Sequence, residues 1–309
     1  MSIPTLMRLV SASVTVANKA GGIVKGIMNR GNLGIVDKGV NDFQTEADRM
    51  VQRCIVASLS RSFPKITIIA EEDLEPSTSD EELICSNLDE NVLKHSCPSD
   101  LVNVKDEDIV VWVDPLDGTA EFTQGLLDQV TILIGIAVDG KAVSGVIHQP
   151  YYRYNIETDL EKVGRTMWGV VGLGAFGIEK KEPPVDQLII ATTRSHRTKL
   201  VDDTLNAMKP TTELSIGGAG NKVLLVIEGK VHAYVYPSKG CKKWDTCAPE
   251  AILHALGGKF TDINGKNNKY FKDIPFPNTG GILAAHSPEA NAKLVSLVPE
   301  SVKQSMVSQ

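Results

Sequence analysis

Val113-Asp114-Pro115-Leu116-Asp117-Gly118-Thr119 is where the sequence commits itself: an apolar run stops abruptly in two carboxylates three positions apart. Pro115 fixes its own φ and Gly118 relaxes the backbone, so Asp114 and Asp117 can converge while the Leu116 carbonyl also faces inward. An all-oxygen set of this kind suits a hard cation such as Mg²⁺. Asp, Pro and Gly are equally the residues of a plain turn, and this stretch alone leaves both readings open.

Working outward, Ile109 to Val113 reads as a buried strand and Ile66 to Ala70, rich in β-branched residues, as another. Downstream, Val130 to Val138, then Asp139-Gly140, then Lys141 to His148 spell a β-hairpin with a tight primed turn. Consecutive hairpins imply an antiparallel sheet. Between the strands, Leu74 to Asp108 is acidic, Ser-rich and aperiodic, a surface excursion with room for one short helix. Towards the N-terminus, Leu6, Val10, Val14, Ala17, Val24 and Met28 recur at helical spacing until Gly31, and Thr45 to Leu59 repeats the pattern. From Tyr151 the rhythm changes. Strands at Leu188 to Thr192 and His232 to Tyr236 alternate with helices near Lys199 to Met208, Ala219 to Glu228 and Asp245 to Leu256. A last helix is expected over Pro288 to Gln304. The change of rhythm sets the expected domains, 1–152 and 153–309.

A chain of 309 residues exceeds what one core usually supports, so two lobes sharing a cleft are expected. The formal net charge of -6 argues against a nucleic-acid partner, and an anionic ligand would need a local reversal of sign. Five cysteines without a C-x-x-C pair fit a reducing compartment. No targeting signal and no apolar run of membrane-spanning length is evident, so a cytoplasmic protein without a membrane partner is expected. Oligomeric state is not legible.

Four further acids, at three places in the chain, carry two readings each. Glu71 and Glu72 follow a β-run, where they either project beyond a strand end or form a solvated acidic loop. Asp245 opens an apolar helix, as a ligand or as a first-turn acid favoured by the helix dipole. Asp48 completes Thr45-Glu46-Ala47-Asp48, a capping-box pattern. Two glycine motifs complete the inventory. Gly172-Leu173-Gly174-Ala175-Phe176-Gly177 matches a dinucleotide fingerprint in letters only, since no helix follows, and is read as a glycine-rich loop or strand turn. Gly217-Gly218-Ala219-Gly220-Asn221-Lys222 precedes a helical pattern, so its amides and lysine form either an anion site or a packing turn.

Taken together, Glu71-Glu72, Asp114 to Thr119 and Trp244-Asp245, in that order, resemble the lithium-sensitive, metal-dependent phosphatase superfamily that contains inositol monophosphatase and fructose-1,6-bisphosphatase. The Gly217 to Lys222 run and Gly240 to Glu250 make the resemblance strongest to its 3'(2'),5'-bisphosphate nucleotidase branch, nearly end to end. The resemblance implies an α+β and α/β chain, a layered α-β-α-β-α sandwich. An antiparallel-sheet N-terminal lobe would pair with a smaller α/β C-terminal lobe. Two or three Mg²⁺ ions would be held by Glu71, Asp114, the Leu116 carbonyl, Asp117 and Asp245, with Asp48 and Thr119 as the water-activating pair. Thr119, Thr193, His196, Gly218 and Lys222 would contact a bisphosphorylated nucleotide. Ala70 and Ala120 depart from the pattern, standing where relatives often carry glycine and a basic residue.

The expected reaction is loss of the 3'(2')-phosphate from adenosine 3',5'-bisphosphate, with its 5'-phosphosulfate analogue and inositol 1,4-bisphosphate as further candidate substrates. Two rivals are an inositol polyphosphate 1-phosphatase and a non-catalytic phosphometabolite-binding protein. A zinc hydrolase is disfavoured, because six histidines are scattered without ligand spacing.

Overall fold

A computed structural model describes residues 3–39, 42–75, 78–159 and 162–306. The chain runs α1 (Thr5–Arg30), β1 (Val36–Gly39), β2 (Asp42–Gln44), α2 (Glu46–Ser62), β3 (Thr67–Ala70), α3 (Glu90–Leu93), β4 (Ile109–Asp117), α4 (Thr119–Thr123), β5 (Thr131–Val138) and β6 (Lys141–Gln149). It continues through β7 (Arg165–Val170), β8 (Gly174–Phe176), β9 (Ile189–Thr193), α5 (Lys199–Met208), β10 (Thr212–Ile216), α6 (Ala219–Ile227) and β11 (Ala233–Tyr236). It closes with α7 (Lys243–Ala255), β12 (Lys259–Thr261), β13 (Ile282–Ala285), α8 (Pro288–Leu297) and α9 (Glu300–Ser305).

Strands β3-β4-β5-β6-β7-β8 form a six-stranded sheet, antiparallel except for β3 on β4. Strand alternation sends its side chains into two cores. Ile132, Ile134 and Ile136 of β5 pack with α1 and α2, whereas Leu133 joins the core shared with the second sheet. The hairpin turn is as predicted: Asp139 and Gly140 both have positive φ, which joins strands of right-handed twist. The second sheet, ordered β10-β9-β11-β13-β12, is mixed. Between the sheets lie α6 and α7; α8 packs on β12 and β13 and touches α5. The result is the expected α-β-α-β-α layering.

Helix α7 sets the spacing of the layers. Gly135, Gly145 and Gly169 pair across β5, β6 and β7 and form a glycine furrow. A Cβ on Gly145 would stand 2.4 Å from the Ala248 carbonyl oxygen, and one on Gly135 2.5 Å from Cys247 Cβ. Backbone cannot move aside as a flexible side chain can. Gly145→Ala should therefore destabilise the protein by about 1–3 kcal/mol and lower turnover as α7 lifts; urea midpoints and kcat measured together check this, and an unshifted midpoint would contradict it.

Two expectations need correction. Strands β7 and β8 complete the first sheet, so the chain passes to the second between Phe176 and Ile189, not at the rhythm change near residue 152. The helix expected over Pro288 to Gln304 is two, because Val298 is extended (ψ 126°) ahead of Pro299, which disfavours helical backbone before it. The excursion from Leu74 to Asp108 holds α3 and two 3₁₀ turns, Thr78–Leu83 and Asp106–Asp108; residues 76 and 77 lie outside the described residues. The Gly172 to Gly177 run is the β7–β8 turn and β8 itself. Among the described residues, no helix is long and apolar enough to cross a membrane.

Candidate active site

The cleft opens where β4 ends. Asp114 is buried three residues before that end, where the pairing with β5 shifts register, and its Oδ1 accepts from the Leu116 N–H at 3.0 Å, which curls the chain so that the next carboxylate, Asp117, faces the second sheet. Gly118 then takes φ 90°, a left-handed value suited to glycine, and α4 starts at Thr119. On the neighbouring strand the Glu71 N–H donates to the Val113 carbonyl at 3.1 Å, extending the β3–β4 ladder and placing Glu71 beside Asp114. Glu72 points elsewhere: Lys38 and Gln44 take its carboxylate at 2.9 and 2.5 Å. Only the first of the two glutamates lines the cleft.

Asp48 works on two sides. Its Oδ2 accepts from the Thr45 N–H at 2.7 Å and closes the capping box of α2, while Oδ1 accepts from the Thr119 hydroxyl at 2.9 Å. Burial pushes its pKa up to about 6, against the opposing pull of the Thr45 and Thr119 hydrogen bonds. Asp245 behaves alike in the first turn of α7, where Oδ2 accepts from the Lys242 N–H at 2.7 Å. Its pKa is raised to about 6, chiefly by burial and further by the Asp117 charge, against the pull of the Lys242 N–H.

The glycine turn departs from the sequence reading. Its amides do bind an anion, but the anion is Asp117: the Ala219 and Gly220 N–H groups each donate to that carboxylate at 2.8 Å, and the Thr131 hydroxyl adds a third bond at 2.7 Å. Lys222 is nearly buried, donates to the Ile216 carbonyl at 3.2 Å and stands 5.0 Å from the Tyr234 ring centroid. Burial lowers its pKa. Thr193 ends β9, and its hydroxyl accepts from the His196 N–H at 3.1 Å.

These groups share one cleft of about 320 Å³, ample for a small metabolite. Glu71, Asp114, Leu116, Asp117 and Asp245 line it, and so do Thr119, Thr193, His196, Gly218 and Lys222. Asp48 sits behind Thr119. Among the described residues no three His, Cys, Asp or Glu side chains already form an ion-sized cage. The acids nonetheless raise one another: burial and then Asp245 push up Glu71, while burial and then Glu71, Asp117 and Asp245 push up Asp114. A cation among these hard oxygen donors would relieve that repulsion, so the donor set fits Mg²⁺. Sequence reasoning passed over Glu121, Arg194 and Lys242 in the same cleft. Arg194 carried a usable signal, being a cation between Thr193 and His196.

Fold and cleft define a phosphatase of the hydrolase class. The chain belongs to the inositol monophosphatase family, whose sequence model matches residues 6–303. It is 56% identical over 304 residues to 3'(2'),5'-bisphosphate nucleotidase 1 of Rattus norvegicus, covering 98% of this chain and 97% of that one. The Homo sapiens protein of the same name is 55% identical over 303 residues, with 98% and 97% covered. Among solved structures, the extragenic suppressor protein suhB of Bartonella henselae superposes with a TM-score of 0.69 at 23% identity, covering 94% and 97% of the two chains. That last likeness speaks to fold alone.

Proposed function

We propose that the protein is a Mg²⁺-dependent phosphomonoesterase that removes the 3'(2')-phosphate of adenosine 3',5'-bisphosphate, giving AMP and phosphate. The observation that carries this reading is the convergence of Glu71, Asp114, Asp117 and Asp245 on one cleft with the Thr119–Asp48 hydrogen bond of 2.9 Å at its edge. The identity of 55–56% with the nucleotidases supports the choice of substrate.

Glu71, Asp114, Asp117, Asp245 and the Leu116 carbonyl would hold the ions. When bound, Mg²⁺ supplies positive charge against the phosphate and Lewis acidity towards water and leaving group. The chain's own part is proton handling. Thr119 takes a proton from the attacking water and passes its own to Asp48, whose raised pKa of about 6 makes it a competent acceptor near neutrality. Water oxygen forms the new bond to phosphorus and the bond to the ribose oxygen breaks; that oxygen takes a proton from solvent water and leaves as a hydroxyl, while Asp48 returns its acquired proton to solvent. Thr193, His196, Gly218 and Lys222 form the second-sheet wall against which the nucleotide rests. Five unpaired cysteines support a cytoplasmic location.

Phosphate release from adenosine 3',5'-bisphosphate, its 5'-phosphosulfate analogue, inositol 1,4-bisphosphate and inositol 1-phosphate, with and without Mg²⁺, tests the proposal. The expected result is Mg²⁺-dependent release with the adenosine bisphosphate preferred. A preference for an inositol ester would overturn the substrate, and nucleotide binding without release in excess Mg²⁺ would overturn catalysis.

A further inference from the structure

A substrate with two phosphates needs a cation for the one that is not cleaved, and the internal partners of the glycine turn narrow the choice. The Ala219 and Gly220 amides are taken by Asp117, and Lys222 lies buried with Asp117 as its main opposite charge. Arg194 differs. It follows β9 directly, and its side chain is 33% exposed on the cleft wall. Its Nε lies 3.3 Å from Glu121 Oε1, and its Nη2 donates to Gln124 Oε1. Neither contact uses Nη1, and Nη2 keeps a second N–H, so the end-on fork can take two phosphate oxygens, the bidentate geometry that guanidinium favours.

Glu121 explains why the guanidinium stands there. Its side chain is 5% exposed, and Oε1 has no aligned hydrogen bond, which leaves the ion pair with Arg194 as its compensation. It lies on α4, two residues beyond Thr119, so the pair spans the cleft from the first sheet's side to the second's. The backbone makes way for it: a Cβ on Gly217 would stand 2.1 Å from Glu121 Cδ. The first glycine of the turn is thus shaped around this carboxylate. A phosphate approaching the fork end-on has the guanidinium between itself and Glu121.

We infer that Arg194 is the specificity-determining residue that receives the second phosphate of a bisphosphorylated substrate, and that Glu121 is its positioning residue. The inference rests on the phosphatase reading of the cleft. Its measure is the ratio of kcat/KM for adenosine 3',5'-bisphosphate to that for adenosine 3'-monophosphate, two substrates with the same scissile ester. Arg194→Gln should lower that ratio by about tenfold or more, through KM for the bisphosphate. Arg194→Lys, with charge but no fork, should fall between, and Glu121→Gln should lower the ratio more weakly. Thermal melting verifies folding, and Arg194→Lys carries the reading if Arg194→Gln does not fold. An unchanged ratio in the folded Arg194 variants overturns the inference. Wild-type protein that hydrolyses both esters equally well overturns it too while sparing the phosphatase reading; wild-type protein that hydrolyses neither ends both.

Discussion

Thr119→Ala and Asp48→Asn should each lower kcat by about 10²–10⁴-fold, the range for loss of positioned acid–base catalysis, with KM for the nucleotide little changed. The asymmetry follows from the geometry. Thr119 reaches Asp48 Oδ1 at 2.9 Å, while Oδ2 is fixed by the Thr45 backbone and hydroxyl, so the acceptor is held in place before substrate arrives. Asparagine keeps an oxygen for the cap and loses the basicity; Asp48→Ala would add loss of the cap, about 0.5–2 kcal/mol. Steady-state kinetics with a melting curve for each variant separates the two effects. Wild-type turnover in either folded variant removes the proton route.

Metal should act on stability with a pH dependence of definite sign. Burial and mutual repulsion raise the folded-state pKa of Asp114, Asp245 and Glu71 above their ordinary values. Groups shifted upward contribute stability in full below the unfolded pKa, near 4, and lose it as pH climbs through the folded values, about 6 for Asp245 and about 8 for Glu71. The metal-free protein should therefore weaken between pH 4 and pH 8. Mg²⁺ at a hundredfold excess over its dissociation constant should restore about 2.7 kcal/mol, so the melting temperatures with Mg²⁺ and with chelator should diverge as pH rises. Asp245→Asn should keep the Lys242 N–H bond, melt no lower than wild type in chelator, and lose most of the Mg²⁺ response together with activity. Parallel melting curves across this pH range would contradict the account.

What the sequence conveyed depended on whether a signal was local. The strand into Asp114, the Asp139-Gly140 turn and the helices at Lys199 and Ala219 are written in short-range periodicity, and they appear where expected. Strands β10, β12 and β13 are brief and gain their partners from distant chain, so no local pattern marks them. The site's ambiguity had a physical cause. Asp48 and Asp245 each read as a helix cap or as a functional acid, and each spends one oxygen on a backbone N–H while the carboxylate remains on or behind the cleft. The two readings were never exclusive. Asp117 could not be seen as the partner of the glycine turn, since the bonds joining them span 102 and 103 residues. Arg194 was passed over because its importance comes from Glu121, a residue on another strand's helix.

The glycine furrow under α7 bears on how such a protein could change its diet. Asp245, on the helix seated in that furrow, stays in register with Asp114 because sheet and helix touch backbone to backbone, so the hydrolytic half behaves as a fixed chassis. The segment following β9 hangs outside that constraint and bears Arg194 and His196 on the rim. Discrimination among phosphorylated metabolites can drift there, by exchange of a few rim side chains, while the chemistry beneath is inherited intact.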